Sequence, residues 1–190
     1  MSRTTFVVLS LSSLAAVVTA GAAGLYGYTS EELSGPVQPI EFSHQVHANA
    51  LGIDCQYCHS TVDKSQHASV PAVSVCMGCH AWVKKGASVG SEQEIAKLTG
   101  YFERGESIPW IRIHALPEYV QFRHHSHFRA GIACQDCHGA VETMNRVYLV
   151  PDTRYNSSAL WLPAAKLEMG WCMDCHDQQG GTQECVSCHY

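Results

Sequence analysis

The segment that decides the fold is Cys55-Gln56-Tyr57-Cys58-His59, which has the form Cys-x-x-Cys-His. The same form recurs four times towards the C-terminus, ending at His80, His138, His176 and His189. The chain has 10 cysteines, and all of them lie in these motifs. Cys-x-x-Cys-His is the attachment sequence of c-type haem, in which two thiols bind the porphyrin covalently and the histidine becomes an iron ligand. The sequence therefore predicts five haem c groups.

This interpretation gives the motif residues two roles. The thiols predicted to attach haem are Cys55, Cys58, Cys76, Cys79, Cys134, Cys137, Cys172, Cys175, Cys185 and Cys188. The predicted proximal iron ligands are His59, His80, His138, His176 and His189. No residue of the chain is predicted to be catalytic.

Other uses of the cysteines explain less of the pattern. Zinc ribbons take four thiolates per metal, so five pairs leave one pair over and the trailing histidines without a role. A disulfide framework or a thioredoxin-like site requires no histidine after each pair. Iron-sulfur clusters need a tight run of three cysteines, which the sequence does not contain.

The composition excludes two broad classes of protein. Hydrophobic residues make up 46% of the 190 residues and charged residues 15%, which argues against a disordered chain. The net charge of −5 argues against a surface that binds nucleic acid.

Regular secondary structure is expected to be sparse, because long apolar periodic segments are nearly absent after residue 39. The sequence predicts short helices and loops packed around five haems. One helix is predicted from a capping box at Ser91 and Glu94, with Ile95, Leu98 and Phe102 on one face. Short strands are predicted at residues 110–114 and 144–150.

The N-terminal segment is predicted to cross a membrane. Residues 4–30 carry no charge, and a helix needs about 20 apolar residues to span a bilayer. Arg3 precedes the segment and Glu31 follows it, which places the N-terminus in the cytoplasm. The alternative is a signal peptide cleaved near Ala20 or Ala23. We expect an anchor at 1–33, a linker at 34–43 and a pentahaem domain at 44–190.

The haem domain contains an internal duplication, with one copy at 40–80 and the other at 120–176. Each copy has a Phe-x-His-x-x-His lead-in, a Gly-Ile, a first haem motif and then a Cys-Met-x-Cys-His motif. The second copy lacks one residue between the lead-in and the glycine. The motif that ends at His189 is an addition to the second copy.

Seven histidines remain as candidates for the sixth coordination position. The predicted distal ligands are His44, His47, His67, His124 and His127. The two lead-in histidines of each copy are three residues apart and share one face of a helical turn, so each pair should reach two different haems. His125 is interpreted as a polar surface residue.

The fourth haem has no histidine between its own motif and the preceding one. Its distal ligand is expected from His47, His127 or His114, or from the thioether of Met144 or Met169. The choice affects the redox potential, because His/Met coordination raises it above that of two histidines.

The lead-in followed by Cys-x-x-Cys-His resembles the class III multihaem cytochromes of the c3 and c7 type, in which the two lead-in histidines serve different haems. Residues 42–59, 73–80, 110–138 and 169–172 are similar to the pentahaem cytochrome subunit of alternative complex III, a bacterial quinol:electron-acceptor oxidoreductase. The fold that this resemblance implies is a class III-like multihaem cytochrome c with one N-terminal transmembrane helix.

The resemblance also implies a place for the chain in a respiratory or photosynthetic complex. Such a subunit spans the bacterial inner membrane once, with its haem domain on the periplasmic face, and relays electrons from quinol oxidation to a downstream acceptor. The implied partners are an iron-sulfur and molybdopterin-like subunit, polytopic quinol-binding subunits and a monohaem cytochrome c.

Two alternative functions remain open. The first is a multihaem reductase in which one haem, expected to be the fourth, keeps an open position for substrate. The second is a membrane quinol dehydrogenase cytochrome that feeds a periplasmic reductase.

Overall fold

The computed structural model describes residues 14–22, 35–86, 88–150 and 167–190, and residues 14–22 are helical. A π-helix spans Gln45–Ala50 and a 3-10 helix spans Val141–Thr143. The α-helices after residue 35 in the described ranges are α1 (Cys55–Cys58), α2 (Val73–His80), α3 (Ser91–Glu103), α4 (His124–Arg129), α5 (Cys134–His138), α6 (Met169–Gln179) and α7 (Cys185–Cys188). The prediction of short helices and loops is confirmed.

Each Cys-x-x-Cys pair lies on a helix, in α1, α2, α5, α6 and α7. Cysteines three positions apart on a helical turn face the same side, as two thioether bonds to one porphyrin require. The turn of α1 begins at Asp54, whose carboxylate accepts a hydrogen bond of 2.7 Å from the Gln56 N–H. At α5 the carboxylate of Asp136 accepts from the Ala133 N–H at 3.2 Å.

The two predicted strands are wrong, since the described residues contain no strand and only an isolated bridge between Val120 and His189. In the segment 110–114, the side-chain amide of Gln38 bonds to the backbone of Ile111 through both its oxygen (2.9 Å) and its nitrogen (3.0 Å). In the segment 144–150, the carbonyl of Met144 accepts from the Gln45 N–H at 3.0 Å. These backbone groups are therefore satisfied without a neighbouring strand.

The helix predicted from Ser91 is confirmed as α3, but its capping box is wrong. Gly90 occupies the N-cap position, and the Ser91 hydroxyl bonds to the backbone of Gly86 instead. The Glu94 carboxylate accepts from the Glu41 N–H at 2.9 Å and pairs with Lys97 at 2.7 Å. The Glu94 carboxylate thus connects α3 to the backbone at Glu41, near the start of the first copy.

A small apolar core joins α3 to α2. Ile40, Leu98 and Ile108 are buried together, and the partly buried residues packed against them are Val73, Cys76, Met77, Tyr101 and Trp110. Ile95 of α3 is also buried, whereas Phe102, predicted on the same face, is 48% exposed. The core therefore touches the second haem motif directly, through Cys76.

Replacing Leu98 by alanine should destabilise the holoprotein by about 2–5 kcal/mol, because the side chain is buried and its removal leaves a cavity. The measurement is guanidinium unfolding of the haem-loaded protein. Gln93→Ala, at an exposed position of the same helix, is the matched control and should change stability by less than about 0.5 kcal/mol. Equal effects of the two substitutions would contradict this core.

The two repeat copies have the same local geometry at their lead-ins. The Phe42 ring lies 4.9 Å from His44 at 88° and 4.3 Å from His47 at 28°. In the second copy, Phe122 lies 4.7 Å from His124 at 87° and 4.4 Å from His127 at 25°. The phenylalanine therefore holds both imidazoles of each turn, one by its edge and one by its face.

The first copy accommodates its extra residue by forming a π-helix where the second copy forms an α-helix. The N–H of Leu51 bonds to the carbonyl of Val46, five residues back, as in a π-helix. In the second copy the Ala130 N–H bonds to Ser126, four residues back. Two residues after the end of each helix stands a glycine with positive φ, Gly52 (64°) and Gly131 (78°), a conformation that favours glycine. The insertion thus leaves the lead-in histidines in place.

The predicted membrane anchor at 1–33 falls largely outside the described residues. Of its length, only 14–22 is described. Among the helices in the described part of the chain, none is both long and apolar enough to span a bilayer.

Candidate haem-binding sites

In three of the motif histidines, the ring nitrogen Nδ1 forms a hydrogen bond with a backbone carbonyl. The acceptors are Ser69 for His59 at 2.6 Å, Val83 for His80 at 2.9 Å and Thr182 for His176. Because a carbonyl can only accept, Nδ1 carries the proton and Nε2 keeps a free lone pair. That tautomer binds a metal through Nε2, and the carbonyl fixes the orientation of the ring.

Three lead-in histidines have the same arrangement. His47 donates from Nδ1 to the carbonyl of Ser43 at 2.8 Å, and His127 donates to that of Arg123 at 3.0 Å. His124 donates to the carbonyl of Gln66 at 2.8 Å, across the boundary between the two copies. These imidazoles are therefore also prepared to bind a metal through Nε2.

The lead-in and motif histidines face one another in pairs. The ring centres are 6.2 Å apart for His47 and His80, 6.4 Å for His124 and His138, and 6.0 Å for His127 and His176. With metal–nitrogen bonds of about 2.0 Å, two imidazoles on opposite sides of one ion have centres about 6.2 Å apart. The separations thus fit a haem iron between each pair.

His44 lies near the first motif, and its Nδ1 is buried without a hydrogen-bond partner among the described residues. Burial, followed by the proximity of His59 and His47, lowers the pKa of His44 from 6.5 to about 4. Burial also lowers the pKa of His124, although its hydrogen bond to Gln66 acts in the opposite direction. Both imidazoles are therefore neutral at pH 7, as a metal ligand must be.

The fourth motif has a facing histidine, which the sequence could not single out. Among its predicted candidates, His127 faces His176, whereas His47 faces His80. The ring of His114 packs edge-on against His138 at 4.3 Å, too close for the two to lie on opposite sides of one iron.

The two candidate thioethers lie in different surroundings. Met144 is 6% exposed and ends the 3-10 helix that contacts the π-helix of the first copy. Met169 is 63% exposed at the start of α6.

The remaining two spare histidines lie near the start of α4. The N–H of His67 donates to the Ser65 hydroxyl at 3.2 Å, and its proximity contributes to the lowered pKa of His124. The N–H of His125 donates to the Ser65 carbonyl at 3.1 Å, and its Nδ1 is buried without a hydrogen-bond partner among the described residues. The sequence predicts His125 at the surface, but the residue is partly buried.

No disulfide joins any two of the ten cysteines, all of which lie in the described residues, and several thiols of different motifs are neighbours. Burial raises the pKa of Cys55, and the nearby thiol of Cys134 raises it further. Burial likewise raises the pKa of Cys76 and Cys172, with added contributions from Cys58 and Cys188 respectively. Porphyrins attached at these thiols would therefore lie next to one another.

Sequence reasoning missed the groups that orient the imidazoles. The carbonyls of Ser69, Val83, Gln66 and Thr182 carry no side-chain signal, so no motif could reveal them. Phe42 and Phe122 left a signal in the repeated lead-in, where each stands two residues before a histidine.

The C-terminal part of the chain is similar to multihaem cytochromes c of the c7 type. Residues 120–190 match the family described as cytochrome c7 and related cytochrome c. The chain is also 29% identical, over 181 residues, to the multihaem cytochrome c subunit of menaquinone reductase from Nitratidesulfovibrio vulgaris strain Hildenborough. That alignment covers 87% of this chain and 83% of the relative, so the similarity extends well beyond the second repeat.

Proposed function

We propose that this chain is a pentahaem cytochrome c that relays electrons as a subunit of a quinone-linked membrane oxidoreductase. The observation that carries the proposal is the set of three facing imidazole pairs, with ring centres 6.0–6.4 Å apart. When bound, haem supplies one-electron chemistry at its iron. In two of the pairs, His47 with His80 and His127 with His176, both imidazoles donate to backbone carbonyls, which would hold them in place while the iron changed oxidation state.

The proposed distal ligands follow the order of the repeats. The first lead-in histidine of each copy serves the first motif of that copy, so His44 opposes His59 and His124 opposes His138. The second lead-in histidine serves the second motif, so His47 opposes His80 and His127 opposes His176. Each short lead-in helix would therefore supply distal ligands to two haems.

The contacts between motifs support a continuous row of haems. The thiol of Cys58 in the first motif lies near that of Cys76 in the second. The thiol of Cys55, also in the first motif, lies near that of Cys134 in the third. Helix α4 carries the facing histidines of both the third and the fourth motifs. Cys172 and Cys188 then join the fourth motif to the fifth. The proposed order is second, first, third, fourth, fifth.

The place of the chain in a larger complex is inferred from its resemblances. The ordered strings shared with the pentahaem subunit of alternative complex III support a periplasmic relay, anchored in the inner membrane by residues 1–33. The partners would be an iron-sulfur and molybdopterin-like subunit, polytopic quinol-binding subunits, a monohaem cytochrome c and a downstream acceptor.

A second candidate function differs in the direction of electron flow. The relative from Nitratidesulfovibrio vulgaris is a subunit of a menaquinone reductase, at 29% identity. Electrons in this chain would then run towards menaquinone rather than away from quinol. The paired imidazoles would serve either direction, because they would hold the iron in both of its oxidation states.

Both the haem count and the direction can be tested on the complex purified from membranes. We expect a pyridine haemochrome assay to give five haems per chain and the ferric spectrum to be predominantly low-spin. In the proposed relay, menaquinol should reduce the haems rapidly. Oxidation of pre-reduced haems by a menaquinone analogue, without reduction by menaquinol, would favour the second candidate. Fewer than five haems would contradict the proposal.

A further inference from the structure

The loop at residues 61–69, between the first and second motifs, bonds to imidazoles of two different motifs. Its Ser69 carbonyl accepts a hydrogen bond from Nδ1 of His59 at 2.6 Å, and its Gln66 carbonyl accepts one from Nδ1 of His124 at 2.8 Å. His59 belongs to the first motif, and His124 is proposed to serve the third. The two acceptors are three residues apart in the sequence, so a displacement of the 61–69 loop would affect both bonds.

The 61–69 loop is also bonded to the backbone at the start of α4. The first two N–H groups of this helix, those of His124 and His125, donate to the carbonyls of Gln66 and Ser65, each at 3.1 Å. The first N–H groups of a helix have no acceptor within the helix, so the loop supplies acceptors that they lack. The Gln66 carbonyl therefore receives both the backbone N–H and the ring nitrogen of His124.

Thr61 holds this loop together through its hydroxyl and its backbone. The hydroxyl donates to the carbonyl of His67 at 2.8 Å and lies 3.0 Å from the hydroxyl of Ser69. The Thr61 carbonyl accepts from the Ser65 N–H at 2.8 Å. Because His67 lies between Gln66 and Ser69, the Thr61 hydroxyl contacts the stretch that carries both acceptor carbonyls.

Ser69 adopts a backbone conformation that depends on its surroundings. Its φ is 58°, in the left-handed region that residues other than glycine rarely adopt. Such a conformation persists only where the neighbouring structure enforces it. The contact with the Thr61 hydroxyl helps to enforce it, and in this conformation the Ser69 carbonyl accepts from His59.

We propose that Thr61 is a positioning residue through which one loop adjusts the potentials of two haems, by holding the carbonyls that orient His59 and His124. The inference rests on the proposed ligation of the first haem by His59 and of the third by His124. A carbonyl that accepts from Nδ1 makes the imidazole more basic, and a more basic ligand favours ferric iron and lowers the potential. Loosening both bonds should therefore raise the potentials of the first and third haems together.

The test is a spectroelectrochemical titration of the haem-loaded protein that carries Thr61→Val, which nearly preserves the shape of the side chain and removes its hydroxyl. We expect two of the five components to move to higher potential. Thr61→Ser keeps the hydroxyl and should return both components to their original potentials. Displacement of one component or of none in Thr61→Val would overturn the proposal, as would an equal displacement in Thr61→Ser.

Thr99→Val is the matched control for the loss of a threonine hydroxyl. Thr99 is partly buried, as Thr61 is, and its hydroxyl donates to the backbone carbonyl of Ile95 at 3.0 Å. Both residues lie in α3, which carries no haem motif. We expect every component to keep its potential. Displacement of the same two components would show a general effect of stability and would overturn the role of Thr61.

Ser69→Val separates the contributions of the two carbonyls. A β-branched residue is strongly disfavoured at positive φ, so the carbonyl at position 69 should turn away from His59, while that of Gln66 stays bonded to His124. Only the first haem should move to higher potential. Ser69→Gly, which adopts positive φ readily, is its control and should leave all components in place. No displacement in Ser69→Val would contradict the role of this carbonyl.

The outcomes separate this inference from the proposed function. Five haems whose potentials do not respond to Thr61→Val would overturn the role of the 61–69 loop and leave the electron relay intact. A haem count below five in the unaltered protein would instead contradict the proposed function.

Discussion

A chain in which all ten cysteines are replaced by alanine should show no cooperative unfolding transition. The buried apolar residues in the described part of the chain are Ile40, Ile95, Leu98, Ile108, Met144 and Trp171. No large side chain there is less than 2% exposed, so this part has no fully buried centre. Such a small core is too little to offset the conformational entropy of ordering the chain, which is roughly 1–2 kcal/mol per residue for the backbone alone.

Haem is expected to supply the missing apolar surface. Several large side chains are exposed close to motif residues, including Trp82 (88%) after the second motif and Val186 (81%) within the fifth. A porphyrin attached at the neighbouring thiols would cover such groups. The haem-loaded protein should therefore melt cooperatively, and the alanine variant should not.

Differential scanning calorimetry and amide hydrogen exchange measure this difference. Cys185→Ala/Cys188→Ala is a useful control, because it removes only the haem at the end of the proposed row. It should keep a cooperative transition at a lower temperature. A sharp calorimetric peak from the protein without cysteines would show that the polypeptide packs by itself.

Replacing His127 by methionine should raise the potential of one haem, by an amount on the order of 100 mV within the roughly 0.8 V that axial ligands span. His127 faces His176 with ring centres 6.0 Å apart, so a thioether at this position would replace the distal imidazole of the fourth haem. A spectroelectrochemical titration of the holoprotein should show four components that stay near their original potentials and one that moves upwards.

His125→Met is the matched control for this substitution. It introduces the same side chain two residues earlier on the same helix, at a position whose N–H contacts Ser65 rather than a motif histidine. We expect no component of the titration to shift by a comparable amount. A large shift in His125→Met, with none in His127→Met, would show that the ligand assignments on α4 are reversed.

The repeated motifs made much of the site predictable. The duplicated lead-in predicts that two imidazoles on one turn serve two haems; in the structure the His47 ring centre lies 6.2 Å from that of His80, and the proximity of His59 contributes to the lowered pKa of His44. Sequence spacing could not show which lead-in histidine reaches which motif, because that depends on contacts across dozens of residues. The pairing of His127 with His176 spans 49 positions and passes through 151–166, outside the described residues.

The wrong predictions share one physical cause. Apolar and polar residues do alternate at 110–114. The backbone of Ile111, however, is hydrogen-bonded by the side chain of Gln38, which lies 73 residues away in the sequence. The capping box at Ser91 has the right residue types, yet their side chains bond to Gly86 and Glu41 instead. Gln38 and Glu41 are distant in the sequence from the groups they bond, whereas Gly86 lies only five residues before Ser91, and in each case the observed bond took the place of the one that the pattern indicated.

The start of α4 joins the two copies of the repeat. Both the N–H and the ring nitrogen of His124 donate to the carbonyl of Gln66, so a lead-in of the second copy is completed by a loop of the first. A fragment that carries the second copy alone would therefore lack the acceptor that orients the His124 imidazole.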